Sequence, residues 1–416
     1  MARRGRLAAG MTATRYANVR VIDCTGAAPY GPTDVVVEDT RIAAIGEAAR
    51  ARTDARLVDR GGETVLPGLV NGDDYLSVKG IVRGYYSVYR QSSHFQILRA
   101  GRNALASLAQ GITAVRDMGA IDRVNLILRD AIEARLVVGP HVYACGMPIA
   151  PAWSGPGVEP AGMTSEANDA AEVLAQTNDL VAAGVDFITI KVHRQDFKLD
   201  RKRWFTVEEM RPGIDAAHAA GLKVSAIGQE PIAYWRAIEA GADSVSSGRF
   251  IYEDPDLPRA LAEQGVMLSA NLAGWARARE FMTEEARANH RIGIARCIEA
   301  GVRMIAGTTF YGESVVDEIV ALRSVGLGAM AALQAATTNG AVALGRDREF
   351  GTLDVGKRAD LVFVDGDPLA DPDVLRSPRL VVRGGVEYHP EALREAVGPL
   401  TEIRDEDEAR LRTART

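Results

Sequence analysis

Residues 184–193 read Gly-Val-Asp-Phe-Ile-Thr-Ile-Lys-Val-His, and two patterns interleave in them. Ile188, Ile190 and Val192 are apolar, whereas Thr189, Lys191 and His193 between them are polar. Successive side chains of a strand point to opposite faces, so this segment predicts a strand with one face of each kind. The apolar face suits a layer of surrounding helices. The polar face suits an interior that opens at the strand's C-terminal end. Seven further stretches read as strands: 68–76, 112–118, 141–146, 223–228, 244–248, 266–271 and 303–309. Amphipathic stretches, such as 122–136, 169–183, 207–220 and 284–300, separate most of them. Strand and helix alternating eight times predict an α/β fold, a (β/α)8 TIM barrel.

Outside the barrel, residues 16–66 and 350–392 read as short strands punctuated by Gly, Asp and Pro. The two ends are expected to meet in one small β-sandwich domain, with the barrel spanning 67–349. Residues 1–15 read as a leader, basic but without the apolar stretch of a secretory signal, and Met11 is an alternative start. Residues 393–416 read as a charged, solvated tail. A length of 416 residues fits a barrel plus an accessory domain. The formal charge of −6, with no basic stripe, argues against nucleic acid as a partner. No run approaches the roughly 18 apolar residues of a membrane span. Cys24, Cys145 and Cys297 are far apart with no CxxC, which predicts a reduced, cytoplasmic protein without a disulfide framework.

The segment Leu-Pro-Gly-Leu-Val-Asn-Gly-Asp-Asp-Tyr-Leu at 66–76 resembles the first barrel strand of the amidohydrolase superfamily, usually LPGLIDAHVHL. Six further segments resemble that superfamily's imidazolonepropionase/prolidase-like branch, in the same order. They are GITAVRDMG (111–119), GVDFITIKV (184–192), AHAAGLKVSAIG (217–228), AGADSVSSG (240–248), IAGTTFYG (305–312) and GTLDVGKRADLVFVDGDPLAD (351–371). The resemblance implies a barrel whose strand ends grip divalent metal through histidines, a carboxylated lysine and an aspartate. In this chain those positions hold Asp73, Tyr75, Thr189, Ile227, Ser247 and Thr309. Only Asp73 among them is a strong donor, whereas zinc and similar ions want about three or four N, S or carboxylate ligands. No metal and no other cofactor is therefore expected. The resemblance also implies a homo-oligomer acting on a small molecule.

Asp73 and Tyr75 share a face of the first strand, and Lys191 lies one step beyond the former lysine position, towards the mouth. An unpaired buried lysine is costly, so a Lys191–Asp73 charge pair with Tyr75 beside it is expected. A neutral polar network plugging the old metal cavity is the alternative. If the site is catalytic, Asp73, Tyr75, Lys191 and His193 are the expected proton-transfer groups, since desolvation moves amines and carboxyls towards neutral pH. The loops after the strands supply candidate substrate contacts: Tyr86, Tyr89 and His94, then Trp153 and Arg194, then Gln229 and Glu230. Ser247, Trp275, Thr309 and Tyr311 complete that set. Arg116 and Asp117 read as structural. Three functions stay open. One is a metal-independent acid/base enzyme of specialised metabolism, performing isomerisation, cyclisation, elimination or tautomerisation. The second is a non-catalytic protein that binds a ligand or partner. The third is a metal-dependent C–N hydrolase with relocated ligands drawn from Asp73, Asp74, His193 or Glu230.

Overall fold

The computed structural model describes residues 13–79, 91–152, 163–196, 201–278, 282–309 and 314–398. Five strands open the chain: β1 (Ala13–Val21), β2 (Tyr30–Glu38), β3 (Arg41–Ile45), β4 (Arg56–Asp59) and β5 (Thr64–Pro67). Then come β6 (Leu69–Asp74), β7 (Ile112–Asp117), β8 (His141–Ala144), β9 (Ile149–Pro151) and β10 (Ser165–Ala167). β11 (Ile188–Lys191), β12 (His193–Asp196), β13 (Arg201–Trp204), β14 (Val224–Ile227) and β15 (Ser244–Ser246) follow. The last are β16 (Met267–Ser269), β17 (Met304–Ile305), β18 (Leu361–Val364), β19 (Leu380–Arg383) and β20 (Val386–Tyr388).

The two ends of the chain build one mixed sheet, in the order β20-β19-β18-β5-β1-β2-β3 with β4 also on β1. β1 forks it: Thr14–Ala17 run parallel to β4, and Arg20–Val21 run parallel to β5. β18 lies antiparallel on β5 and joins the C-terminal strands to the N-terminal ones. The sheet curls around a core of Tyr16, Val19, Val35, Ile42, Phe363 and Val382, among others. The β-rich domain expected from the two ends of the chain is thus built on one mixed sheet. β18 shows why its sequence, Leu-Val-Phe-Val, is apolar throughout. Leu361 and Phe363 fill the sheet's own core, while Val362 and Val364 join the barrel's core. β1 begins at Ala13, paired with Glu38, so residues 13–15 belong to the sheet rather than to a leader. The helix Pro390–Val397 likewise runs into the stretch read as a tail, and packs on the helix Ser93–Ala109.

The eight barrel strands are β6, β7, β8, β11, β14, β15, β16 and β17, each inside its expected stretch and all parallel. Backbone bonds close the ring. Asp186 N donates to Ala144 O at 2.9 Å, and Gly72 N donates to Ala306 O at 2.8 Å. Ile188, Ile190 and Val192 pack with the surrounding helices, whereas Phe187 joins an interior cluster, as the alternation requires. The strand is shorter than expected. Val192 bends, and His193 opens the antiparallel hairpin β12–β13. Asp169, Thr206 and Thr283 cap the helices that follow them by accepting backbone N–H bonds. The three cysteines are buried and free. Among the described residues no helix is long and apolar enough to cross a membrane.

Candidate functional site at the barrel mouth

Asp73 lies on the first barrel strand and is wholly buried. Its carbonyl accepts from the amides of Thr308 (3.0 Å) and Thr309 (2.8 Å), which locks the end of the eighth strand to the first. Gly307 permits this approach, because a Cβ there would sit 2.4 Å from Asp73 Cβ. The Asp73 carboxyl reaches across the interior. Its Oδ2 accepts from Ser246 Oγ and from Asn271 Nδ2 (3.1 Å), and Asn271 Oδ1 accepts from Ser269 Oγ (3.1 Å). Oδ1 has no hydrogen-bond partner. Burial raises the pKa of Asp73; the bonds from Ser246 and Asn271 and the charge of Arg116 oppose that only in part. Arg116 is also buried, donating to Gly72 O (2.7 Å) and Ser244 Oγ (3.2 Å) with its guanidinium over the Phe187 ring. Asp117 accepts from Leu76 N, Gly119 N and Asn125 Nδ2, and burial pushes it up to about 7. Both residues of the Arg-Asp pair therefore support backbone, as expected.

The expected Lys191–Asp73 pair does not form. Asp73 is committed to Ser246 and Asn271, and Lys191 ends its strand half-buried. The first strand's ion pair is instead between its neighbour Asp74 and Lys79, 2.9 Å apart with side chains 0% and 9% exposed. Asp74 Oδ2 also accepts from Asn71 Nδ2 (2.7 Å). The register of β6 on β7 is irregular between Asn71 and Asp74. This irregularity lets Asn71 reach Asp74, three residues on. Tyr75 lies just past the strand, half-buried, and packs on the interior cluster that holds Met118, Cys145 and Phe187. Ile227 packs on the same cluster and is the cross-strand partner of Lys191. Tyr75 and Ile227, the neighbour of Lys191, thus cover one interior cluster.

A second group comes from the loops after β14, β15 and β16. Arg249 lies over the Trp275 ring at 4.6 Å and the Phe250 ring at 5.0 Å, and donates to Gln229 Oε1 at 3.0 Å. Tyr234 Oη donates to the carbonyls of Gly228 and Arg249, which ties the two loops together. Trp275 sits on a short helix, Leu272–Arg277, whose first amides are bound by the buried carboxyl of Glu318. Burial pushes Glu318 up to about 8. Ser247 is buried with φ 91° and a hydroxyl lacking a partner. Thr309, with φ 49°, is also buried. Their backbones are used, Ser247 N donating to Ser269 O (2.9 Å) and Thr309 N to Asp73 O. Glu230 is half-buried and precedes the helix Pro231–Ala240.

Of the remaining expected residues, His193 stacks on Trp204 (4.7 Å) in the hairpin rather than lining a barrel strand. His94 is exposed on the first turn of its helix. Tyr86, Tyr89, Trp153, Tyr311 and the Arg194 side chain lie outside the described residues. Four contributors were not anticipated: Ser246, Asn271, Arg249 and Glu318. The first three sit at or just past a barrel strand end, which was the available signal; Glu318, inside a helix, carried none. Among the described residues, no three His, Cys, Asp or Glu side chains converge as a metal-binding group.

The model of the amidohydrolase family matches residues 76–387. An uncharacterized protein of Mycobacterium tuberculosis is 31% identical over 199 residues, which are 44% of this chain. The match spans only about half, 52%, of that relative's length. The imidazolonepropionase of a Geobacillus species is 25% identical over 361 residues, 80% of this chain and 83% of its own. Among solved structures, a Xaa-Pro dipeptidase with bound methionine superposes with a TM-score of 0.78. The superposition covers 91% of this chain and all (100%) of that one, at 24% identity, so the likeness is one of fold. With most of its length matched in this way and its barrel closed as described, the chain belongs to the amidohydrolase family.

Proposed function

We propose that this protein is a small-molecule enzyme of the amidohydrolase fold that moves protons without a divalent metal at the mouth. The observation that carries the proposal is the set of side chains standing at Asp73, Tyr75, Thr189, Ile227, Ser247 and Thr309. Ile227 is apolar, Thr189, Ser247 and Thr309 are buried neutral hydroxyls, and the Asp73 carboxyl is already held by Ser246 and Asn271. Such a donor set does not fit zinc or a similar ion. Asp74, the nearest alternative carboxylate, is bound to Lys79 and Asn71, which weighs against relocated ligands.

Lys191, beside Ile227, and Tyr75, on the cluster that Ile227 also covers, are the half-buried groups that take and return a proton. Arg249, held flat by its two rings, orients a polar or anionic part of the substrate. Asp73 does not touch substrate; it positions the ends of the sixth and seventh strands beneath. Isomerisation, cyclisation, elimination and tautomerisation are the reactions such a set suits, in specialised metabolism. The complete burial of Asp73 also favours a second reading, a protein that binds its ligand without converting it.

Untargeted mass spectrometry of a metabolite mixture, incubated with the protein and with its Lys191→Met variant in chelator, tests the proposal. A compound consumed only by the wild type, with a product of equal mass or lighter by one water, is expected. Products whose masses sum to that of the substrate plus one water, or activity that tracks bound metal, overturn it. Binding with no conversion selects the second reading.

A further inference from the structure

We propose that the cavity at the opposite end of the barrel, between the barrel's N-terminal face and the end sheet, is a binding site for a small organic anion. The site is independent of the chemistry at the mouth. The cavity holds about 600 Å³, within the roughly 300–1,000 Å³ of small-molecule sites. Its barrel wall includes His141, the first residue of β8, and Asp186, which precedes β11; its sheet wall includes Arg383, Gly384 and Tyr388.

Five guanidinium groups line it: Arg129, Arg135, Arg346, Arg358 and Arg383. Three carboxylates do so as well, and each is already engaged. Asp186 accepts from Arg129 (2.9 Å) and Ala144 N (2.9 Å), and Glu349 from Arg346 (2.8 Å). Glu133 accepts from Arg383 (2.9 Å) and lies 3.2 Å from His141 Nδ1. A fourth, Asp360, is buried behind Arg358 and takes its Nε (2.6 Å). Arg129 also meets Asp130 (2.9 Å), so four of the five guanidiniums are matched by carboxylates. The fifth, Arg135, pairs with no carboxylate among the described residues, and it is the guanidinium left for a ligand.

Donors are also in surplus. Arg358 Nη2 and Arg383 Nε are buried with no acceptor, while Arg358 Nε and Nη1 and Arg383 Nη2 are engaged. Buried N–H groups without a partner are rare and call for one. This network borders the open space of the cavity. The remaining wall is apolar: Ile132, Val137, Val138, Val142 and Val386. Guanidiniums together with aliphatic groups suit a carboxylate or phosphate carrying an apolar body.

Calorimetry of the full chain with phenyl phosphate, phenylacetate and neutral benzyl alcohol tests this, alongside unfolding midpoints. At least one anion is expected to bind and to raise the midpoint, and the alcohol is expected not to. Arg346→Gln and Arg135→Gln, at exposed or half-exposed positions, are each expected to weaken the anion by about tenfold without moving the ligand-free midpoint. Arg259→Gln, on a helix remote from the cavity, is expected to leave binding unchanged. Whether phosphate or carboxylate binds more tightly identifies the natural headgroup. The proposal is overturned if neither anion binds or if the alcohol binds equally well. It is also overturned if Lys191→Met, at the mouth, is the substitution that abolishes binding.

Discussion

Replacing Glu318 by glutamine asks whether a buried carboxyl behind the mouth is neutral. Glu318 accepts from Leu272 N (3.0 Å) and Ala273 N (2.8 Å), bonds that favour a carboxylate, yet burial outweighs them and lifts it from 4.5 to about 8. Because the folded pKa lies above the unfolded one, the folded state holds the extra proton between those values. Its contribution to stability is full below about pH 4.5 and is lost as pH rises towards about 8. One proton corresponds to about 1.4 kcal/mol per pH unit, so between about pH 5.5 and about pH 7.5 the loss is about 2–3 kcal/mol. Glutamine cannot titrate, but its amide nitrogen meets one of the two backbone donors, a pH-independent cost of about 1–3 kcal/mol. Asp73 and Asp117 carry slopes of the same sign; that of Asp117 cancels when variant and wild type are compared, whereas the Asp73 carboxyl acts on Glu318 and is part of the comparison. Urea unfolding at several pH values measures the comparison. The wild type should lose about 2–3 kcal/mol relative to Glu318→Gln across that window. A difference that stays constant with pH would show an ionised carboxylate capping the helix that carries Trp275, and the argument from burial would fail.

Lys79→Met strands Asp74 as a buried unpaired charge, so a loss of about 3–5 kcal/mol in urea unfolding is expected, and Asp74→Asn added to it should restore part of that loss. Gly307→Ala drives a methyl into the Asp73 carboxyl's surroundings, 2.8 Å from both Asn271 Oδ1 and Ser269 Oγ. It should cost about 1–3 kcal/mol; an unchanged unfolding midpoint would mean that the first and eighth strands are not pressed together there. Asn271→Ala and Ser246→Ala each remove a donor from Asp73 Oδ2, at about 1–3 kcal/mol apiece. Their effects should be non-additive in a double-mutant cycle, because both act on one oxygen. Sedimentation of the purified chain should give more than one protomer per particle; a monomer at all concentrations would remove the expectation of a homo-oligomer.

Local periodicity is what the chain states on its own. Ile188, Ile190 and Val192 alternating with Thr189 and Lys191 define a strand and its two faces before any contact is known, because the pleat imposes that alternation. Strand-like stretches separated by amphipathic ones marked all eight barrel strands in the same way. The partners of the site's charges were not legible in this way. Ser246 and Asn271 lie 173 and 198 residues from Asp73, and only closure of the barrel brings them to its oxygen. Which carboxylate meets a lysine turned on the irregular register of β6 against β7, which assigned Asp74 to Lys79 and left Asp73 to neutral donors. Side-chain pattern therefore decided which residues face inward. The stagger of neighbouring strands, a property of the closed sheet and of no single segment, decided what each of them touches.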